Sequence, residues 1–405
     1  MKKTILLSLA ASSLLFAEHN HEHEGHGTTP SVTLIGDFSY VNRNKELHET
    51  YIDGFTHAHA EGEDHGHDHS EPHANEGFNF NSAELEIAAP IDDMFKVQST
   101  FHLSEDSFEV EELYGLTQNR DGFNLKAGKF LSSFGANNAK HSEMWDFANQ
   151  PLINNALFGY HGLNEKGIGA SWNNKNFKIG LEVLTGENEQ SLGSSEIEYG
   201  DGNISIEGSE KPELNVMYAK YSDRIDTTKI DAGLSYASGK ARWDHTDDDE
   251  PHALTGDVKF YGADVAFTFP LTRTSNIKWS TEYIQRKITN GTRYAADTTT
   301  KSVETDQSGI NTQLVYTINP QWKTGIQYDD IIKNDKIVDG ANKNKSEDLK
   351  RTSFMVEHAL SEHNRVRVQY NNDKSKYHDE ALLSYNDVVF QWIFEFSTGE
   401  HNHNH

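Results

Sequence analysis

The chain of 405 residues contains no cysteine. That absence excludes disulfides, thiolate metal sites and cysteine nucleophiles. Proline is scarce, at 8 residues. Basic residues are in deficit, with 36 Lys and Arg against 63 Asp and Glu and a formal net charge of -27. So acidic a chain is a poor partner for nucleic acid and an attractor of cations. No apolar run approaches the ~18 residues that a membrane-spanning helix needs. Ile5 to Phe16 is apolar but short; it follows Lys2 and Lys3 and precedes Ala17, so residues 1–17 read as a secretory signal peptide. Catalytic signatures are missing as well. His21-Glu22 is followed by Gly25, and His23-Glu24 by Gly27, where a zincin helix needs histidine. With no P-loop and no G-x-S-x-G, no enzymatic activity is expected.

What the sequence does have is alternation. Aromatics make up 11% of it, which is high for a disordered chain, yet mean hydropathy is negative. In "SVTLIGDFSY", Val32, Leu34, Gly36, Phe38 and Tyr40 share one face. In "VVFQWIFEF", Val388, Phe390, Trp392, Phe394 and Phe396 share one face, while Val389, Gln391, Ile393 and Glu395 share the other. This period of two marks half-buried strands. Sixteen such segments are expected between residues 31 and 396.

Their connections alternate in length. Turns at 92–94, 118–122, 173–176, 319–321 and 361–364 are tight. Links at 43–77, 132–166, 186–211, 241–256, 290–308 and 331–348 are long and polar. Only the link near Ser104 to Ser107 breaks the alternation. The expected fold is therefore all-β: a transmembrane antiparallel β-barrel of about 16 strands, with long extracellular loops and short periplasmic turns. One face of each strand meets lipid and the other an aqueous lumen, which reconciles polarity with membrane insertion. Glu84, His102, Glu111, Lys126, Lys178, Glu182, Lys259, Glu282, Lys323, Arg365 and Arg367 are among the expected lumen residues. The expected organisation is a periplasmic tail (18–30), the barrel (31–396) and a second tail (397–405).

Histidine is abundant, at 22 residues, and it is clustered. His19, His21, His23 and His26 follow the signal peptide. His57, His59, His65, His67, His69 and His73 crowd the 43–77 link, interleaved with acids in "THAHAEGEDHGHDHSEPH". His401, His403 and His405 end the chain. Neutral imidazoles beside carboxylates suit divalent first-row metals, so these clusters are candidate metal-binding tracts. Zinc, nickel and copper all remain open, and none acts as a catalytic cofactor. In the expected topology the link cluster lies at the outer mouth and the two tails at the inner one.

The segment 123–172 is rich in specific residues rather than loop filler. It carries Leu125 to Phe130, Phe134-Gly135, Asn138, His141, Trp145-Asp146-Phe147, Pro151-Leu152 and Gly167 to Trp172. This pattern resembles a family of proteobacterial outer-membrane proteins labelled zinc-regulated receptors or porin-like proteins. The resemblance covers residues 123–172, together with the general barrel pattern. A second histidine of the family's motif is replaced here by Glu143. The TonB-dependent label sometimes given to that family implies 22 strands and a plug. A first strand starting near residue 31 leaves no room for a plug, so passage without energy coupling is expected.

Trp145, Phe147, Phe158 and Tyr160 would not float in water, so the 132–166 link is expected to fold into the barrel as a constriction. His141, Glu143, Asp146 and His161 are candidate ion contacts on it. These observations point to a channel in the outer-membrane lipid that passes divalent metal, zinc first, with a homotrimer as one assembly. The alternatives are a general diffusion porin whose histidines merely buffer metal, and a closed surface metal-binding barrel.

Overall fold

A computed structural model describes residues 30–47, 50–55, 75–105, 107–117, 122–200, 202–247, 250–343, 348–378 and 381–398. Ser397, expected in the second tail, ends the last strand. The signal peptide, residues 18–29 and 399–405 of the two tails, and the 57–73 cluster lie outside the described residues. So do His19, His21, His23, His26, His57, His59, His65, His67, His69, His73, His401, His403 and His405.

Sixteen antiparallel strands form the wall. They are β1 (Ser31–Arg43), β2 (Gly77–Pro90), β3 (Phe95–Leu103), β4 (Phe108–Thr117), β5 (Phe123–Leu131), β6 (Asn164–Asn174), β7 (Phe177–Leu184) and β8 (Leu214–Ile225), then β9 (Thr228–His245), β10 (His252–Pro270), β11 (Asn276–Ala295), β12 (Thr300–Asn319), β13 (Trp322–Val338), β14 (Leu349–Ser361), β15 (Asn364–Lys374) and β16 (Tyr385–Ser397). Each strand pairs with the next in chain order, and β16 returns to pair with β1, from Thr33 opposite Ser397 to Arg43 opposite Asp387. Closure gives every wall strand a neighbour on both sides, so no open sheet edge faces a bilayer.

The outward face is apolar where lipid would meet it. Phe390, Trp392 and Phe396 of β16 are exposed, as are Leu34, Phe38 and Tyr40 of β1. The closing seam is covered by aromatics. Phe38 stacks on Trp392 and Phe394 with ring centroids 5.9 and 6.2 Å apart. Phe394 lies over Gly36, where any Cβ would come within 2.5 Å of its ring. On the inward face, Val389, Gln391 and Ile393 are buried.

The wall is not of even height. Strands β3 to β7 have 9, 10, 9, 11 and 8 residues, close to the ~9–11 that cross a bilayer. Strands β9 to β13 have 18, 19, 20, 20 and 17. At about 3.3 Å per residue and a tilt near 45°, the surplus rises roughly 20 Å beyond the hydrocarbon. Charges line the outside of this extension: Asp306 meets Lys333 at 2.7 Å and Lys287 at 3.5 Å. Such a cross-strand network belongs in water rather than in lipid.

This height corrects the expected loops at 241–256, 290–308 and 331–348. Most of those residues are strand, leaving links at 246–251, 296–299 and 339–348. Their polarity suggested loops. They are polar because the upper wall stands above the apolar belt while its backbone stays paired. Lys259 is also corrected: it is exposed on the outer face, and its neighbours Val258 and Phe260 are the buried, inward residues of β10.

Candidate functional site

The segment 132–163, between β5 and β6, folds into the barrel and is fastened across it. A 3-10 turn, Ser142–Met144, and one short helix, α1 (Leu152–Phe158), are its only regular pieces. Gly135 has φ +67°, and a Cβ there would stand 2.2 Å from Glu282 Oε1. Only glycine fits that backbone against that carboxylate. Glu282 of β11 accepts from Ala136 N at 2.6 Å and from Asn137 Nδ2 at 2.7 Å. Farther along, Asp329 of β13 accepts from Leu152 N at 2.9 Å, and Arg351 of β14 donates to the Gln150 carbonyl at 2.5 Å. Gln369 of β15 accepts from Ala148 N at 2.7 Å, and Arg367 donates to the Trp145 carbonyl at 2.9 Å.

The two sides of the lumen differ in chemistry. Toward β8–β13 the interior holds the large apolar cluster, interrupted by buried polar groups such as Glu282, Arg286, Gln307 and Asp329. Phe134, Ile153, Leu157 and Phe158 of the inward segment pack with Val258, Phe260, Ile284, Ile288 and Ile331 of the wall, and with Ile52, Phe55 and Leu192 from other connections. Toward β1–β4 and β15–β16 most of the buried inward side chains are polar, among them Asp37, Ser39, Glu84, Thr100, His102, Glu112, Arg367, Gln369 and Gln391, with Ile35, Val41, Val389 and Ile393 as apolar exceptions.

A dense group of acids and histidines occupies this second side. Strand alternation turns Glu84 of β2 inward, and it pairs across the ladder with His102 of β3. On β4 the register slips between Thr100 and Phe101, so that Thr100 faces Glu112 while Phe101 faces Val110. This bulge turns two consecutive carboxylates, Glu111 and Glu112, toward the lumen; a regular strand would send one of them to lipid. From the inward segment comes His141. Its Nε2 is 3.0 Å from Glu112 Oε2. Its Nδ1 is 3.6 Å from Glu84 Oε2 and 3.6 Å from Glu111 Oε2. His161 Nδ1 lies 3.8 Å from Glu111 Oε1. Glu112 is held in turn by the Leu131 N–H at 2.7 Å. Burial disfavours a charged imidazole, yet the surrounding carboxylates of Glu111, Glu112 and Glu84 raise the His141 pKa well above its usual range.

Of the four sequence candidates on this segment, the structure brings His141, Glu143 and His161 to one cluster. Asp146 lies elsewhere, between Lys323 at 3.2 Å and Lys278 at 3.4 Å. Burial alone would lift its carboxyl; the two ammonium groups hold it well below the usual carboxylate range. Glu112 was missing from the sequence candidates. Alternation assigns it to lipid once Glu111 is placed inside, and only the consecutive acids in "FEVEEL" hint at a bulge.

This arrangement offers carboxylate oxygens and imidazole nitrogens to a cation. It presents no activated nucleophile.

Comparisons with known proteins bear on the fold. A protein of Aquifex aeolicus (strain VF5), named only "Uncharacterized protein", is 36% identical over 380 residues, which is 92% of this chain and 79% of that one. No family model matches the chain. Among solved structures, Pseudomonas putida OprB aligns with a TM-score of 0.54 at 11% identity, covering 91% of this chain and 94% of that one. An anion-selective porin from Comamonas acidovorans aligns at 0.53 and 12%, covering 91% and 100%. The trimer form of Vibrio cholerae OmpT aligns at 0.51 and 10%, covering 91% and 99%. These likenesses show a porin-type barrel of sixteen strands, with no plug domain among the described residues, and with the apolar belt they place it in the bacterial outer membrane. They lend no support to the zinc-regulated, TonB-dependent label.

Proposed function

The chain belongs to the same family as the Aquifex aeolicus protein, and we propose that it is an outer-membrane diffusion channel passing divalent metal ions, zinc first among them. The observation that carries this reading is the division of the lumen. Much of one side is filled by apolar packing, while Glu84, His102, Glu111, Glu112, His141 and His161 meet on the other and offer a cation its ligand atoms. Several weak oxygen and nitrogen contacts in series suit an ion that must enter and then leave. The histidine-rich tract at 57–73 and the two tails would raise the metal concentration at the ends of the path. A homotrimer is the assembly proposed with it, supported by the trimeric form of the Vibrio cholerae barrel.

A second reading has its own observations. Lys126, Lys178 and Lys220 also face the interior, each beside an aromatic ring. Arg365 and Arg367 flank Glu357. These cations suit a general diffusion porin for small anionic or neutral solutes.

Conductance across a planar bilayer separates the two. Intact protein and a variant lacking residues 57–73 are compared while zinc is titrated. On the metal reading, low zinc changes the current or the ion preference of the intact channel, and the deletion weakens that response. Current indifferent to zinc in both proteins makes the barrel a general porin. No current in either makes it a closed barrel.

A further inference from the structure

The acid–histidine group contains more ligand atoms than hydrogen bonds to satisfy them. Among the described residues, no partner donates to or accepts from Glu84 Oε2, Glu111 Oε2, Glu143 Oε2 or His141 Nδ1, although all four atoms are buried. Glu84 itself is only 4% exposed. A buried carboxylate oxygen without a partner is costly, and each such atom calls for an explanation. The spacing supplies one. His141 Nδ1 stands 3.6 Å from an oxygen of Glu84 and 3.6 Å from one of Glu111. That is too long for a hydrogen bond. It is close to the ~3.4 Å that separates two ligands of a tetrahedral ion with bonds near 2.1 Å.

Two triads have this character. Ligand atoms of Glu84, His141 and Glu143 all lie within 4.8 Å of one another, and so do those of Glu84, His102 and Glu111. Both triads use Glu84. We propose that these five residues form a divalent-cation site of two adjacent pockets, bridged by the Glu84 carboxylate, which joins the inward segment to strands β2–β4. Each pocket supplies one imidazole and two carboxylates. A set of nitrogen and oxygen donors without sulfur suits zinc and similar borderline ions, and disfavours Cu(I). Three protein ligands per pocket leave room for water or a further ligand, as in zinc sites that keep an open position. Glu112 holds the ring from its other side, because His141 Nε2 is 3.0 Å from Glu112 Oε2. A carboxylate in that place fixes the ring's orientation and leaves Nδ1 to the ion.

This assignment rests on reading the cluster as the cation-facing side of the lumen, but it does not require the barrel to conduct. Crystals of the full chain grown with zinc, with data collected at the zinc absorption edge, test it. Anomalous peaks are expected beside Glu84, at about 2.0–2.2 Å from the donor atoms. Glu84→Gln should lose both peaks while peaks on the histidine-rich segments survive. Peaks confined to those segments, or cluster peaks that survive Glu84→Gln, overturn the site. If Glu84→Gln does not fold, judged by heat-modifiable migration on a gel, His102→Asn takes its place. It should lose the Glu84–His102–Glu111 peak and keep the other; survival of both sinks the two-pocket assignment. Zinc-indifferent current in a protein that shows the peaks defeats the conduction reading alone. Zinc-sensitive current without the peaks defeats the site alone.

Discussion

The two sides of this lumen are built from the same strand alternation and do opposite things. On the β8–β13 side many inward positions are apolar, although Glu282, Arg286, Gln307 and Asp329 are buried among them. Val258 and Phe260 point inward while Tyr261 points outward, and Ile284 and Ile288 point inward from β11. Those inward groups bury α1 and Phe134. On the β1–β4 and β15–β16 side the same inward positions carry Asp37, Glu84, His102, Glu112, Arg367 and Gln391, held by hydrogen bonds and ion pairs. A barrel wall thus becomes a core or a polar lining according to what occupies alternate positions, with no change in backbone. The inward segment is where the two meet. Its C-terminal half is anchored by packing and its middle by charge, so each anchor can be broken alone.

The largest effect is expected from breaking the apolar anchor. Leu157 is fully buried in α1. Leu157→Asp forfeits roughly 2–5 kcal/mol of packing and adds the desolvation of an unpaired carboxylate. The segment should leave its seat, and conductance should rise several-fold in a barrel that still shows heat-modifiable migration. An unchanged conductance in folded protein would mean that packing on this side does not close the lumen.

How much of this could be read from the sequence follows the same division. Sixteen strands, their closure and their lipid faces were legible, because alternation with apolar partners is a one-dimensional signal; Leu34, Phe38, Phe390 and Trp392 face outward as their spacing predicts. The height of β9–β13 was not. Residues such as Lys301 and Glu304 look like loop, and only long-range pairing with β11 and β13 makes them strand. His141 and Glu143 were legible as metal-ligand types on a distinctive segment. Glu84, His102 and Glu111 were legible only as inward residues. Their meeting with His141 depends on how a thirty-odd-residue connection crosses the barrel, and Glu112 depends on a bulge. Asp146 shows the converse: a residue type suited to metal whose neighbours turn out to be lysines.

Breaking the polar anchor should do less. Glu112→Ala removes the 3.0 Å partner of His141 and the 2.7 Å acceptor of the Leu131 N–H. Leaving a buried donor unmatched costs about 1–3 kcal/mol. The denaturation temperature should fall by a few degrees, with a conductance change well below that of Leu157→Asp. An equal or larger change would reverse the ranking of the two anchors.

The smallest effect sharpens the comparison through pH. Asp146 is partly exposed, and so are Lys278 and Lys323, at 18%, 37% and 30% of their side chains. Each pair is therefore worth under about 1 kcal/mol. The Asp146 pKa is depressed in the folded state, so its contribution is fully present above the unfolded value near 3.9. As pH falls below that value toward the lower folded pKa, the contribution is lost. Asp146→Asn should leave a slightly less stable barrel at neutral pH. The gap from the unmodified protein should close in acid, because protonation abolishes the advantage that the variant already lacks. Leu157→Asp, by contrast, should stay well below the unmodified protein even in acid: protonating the new carboxyl removes the cost of burying its charge, but the lost packing carries no proton. A gap for Asp146→Asn that does not narrow at all as pH falls below about 3.9 would show that this residue acts by shape rather than by charge.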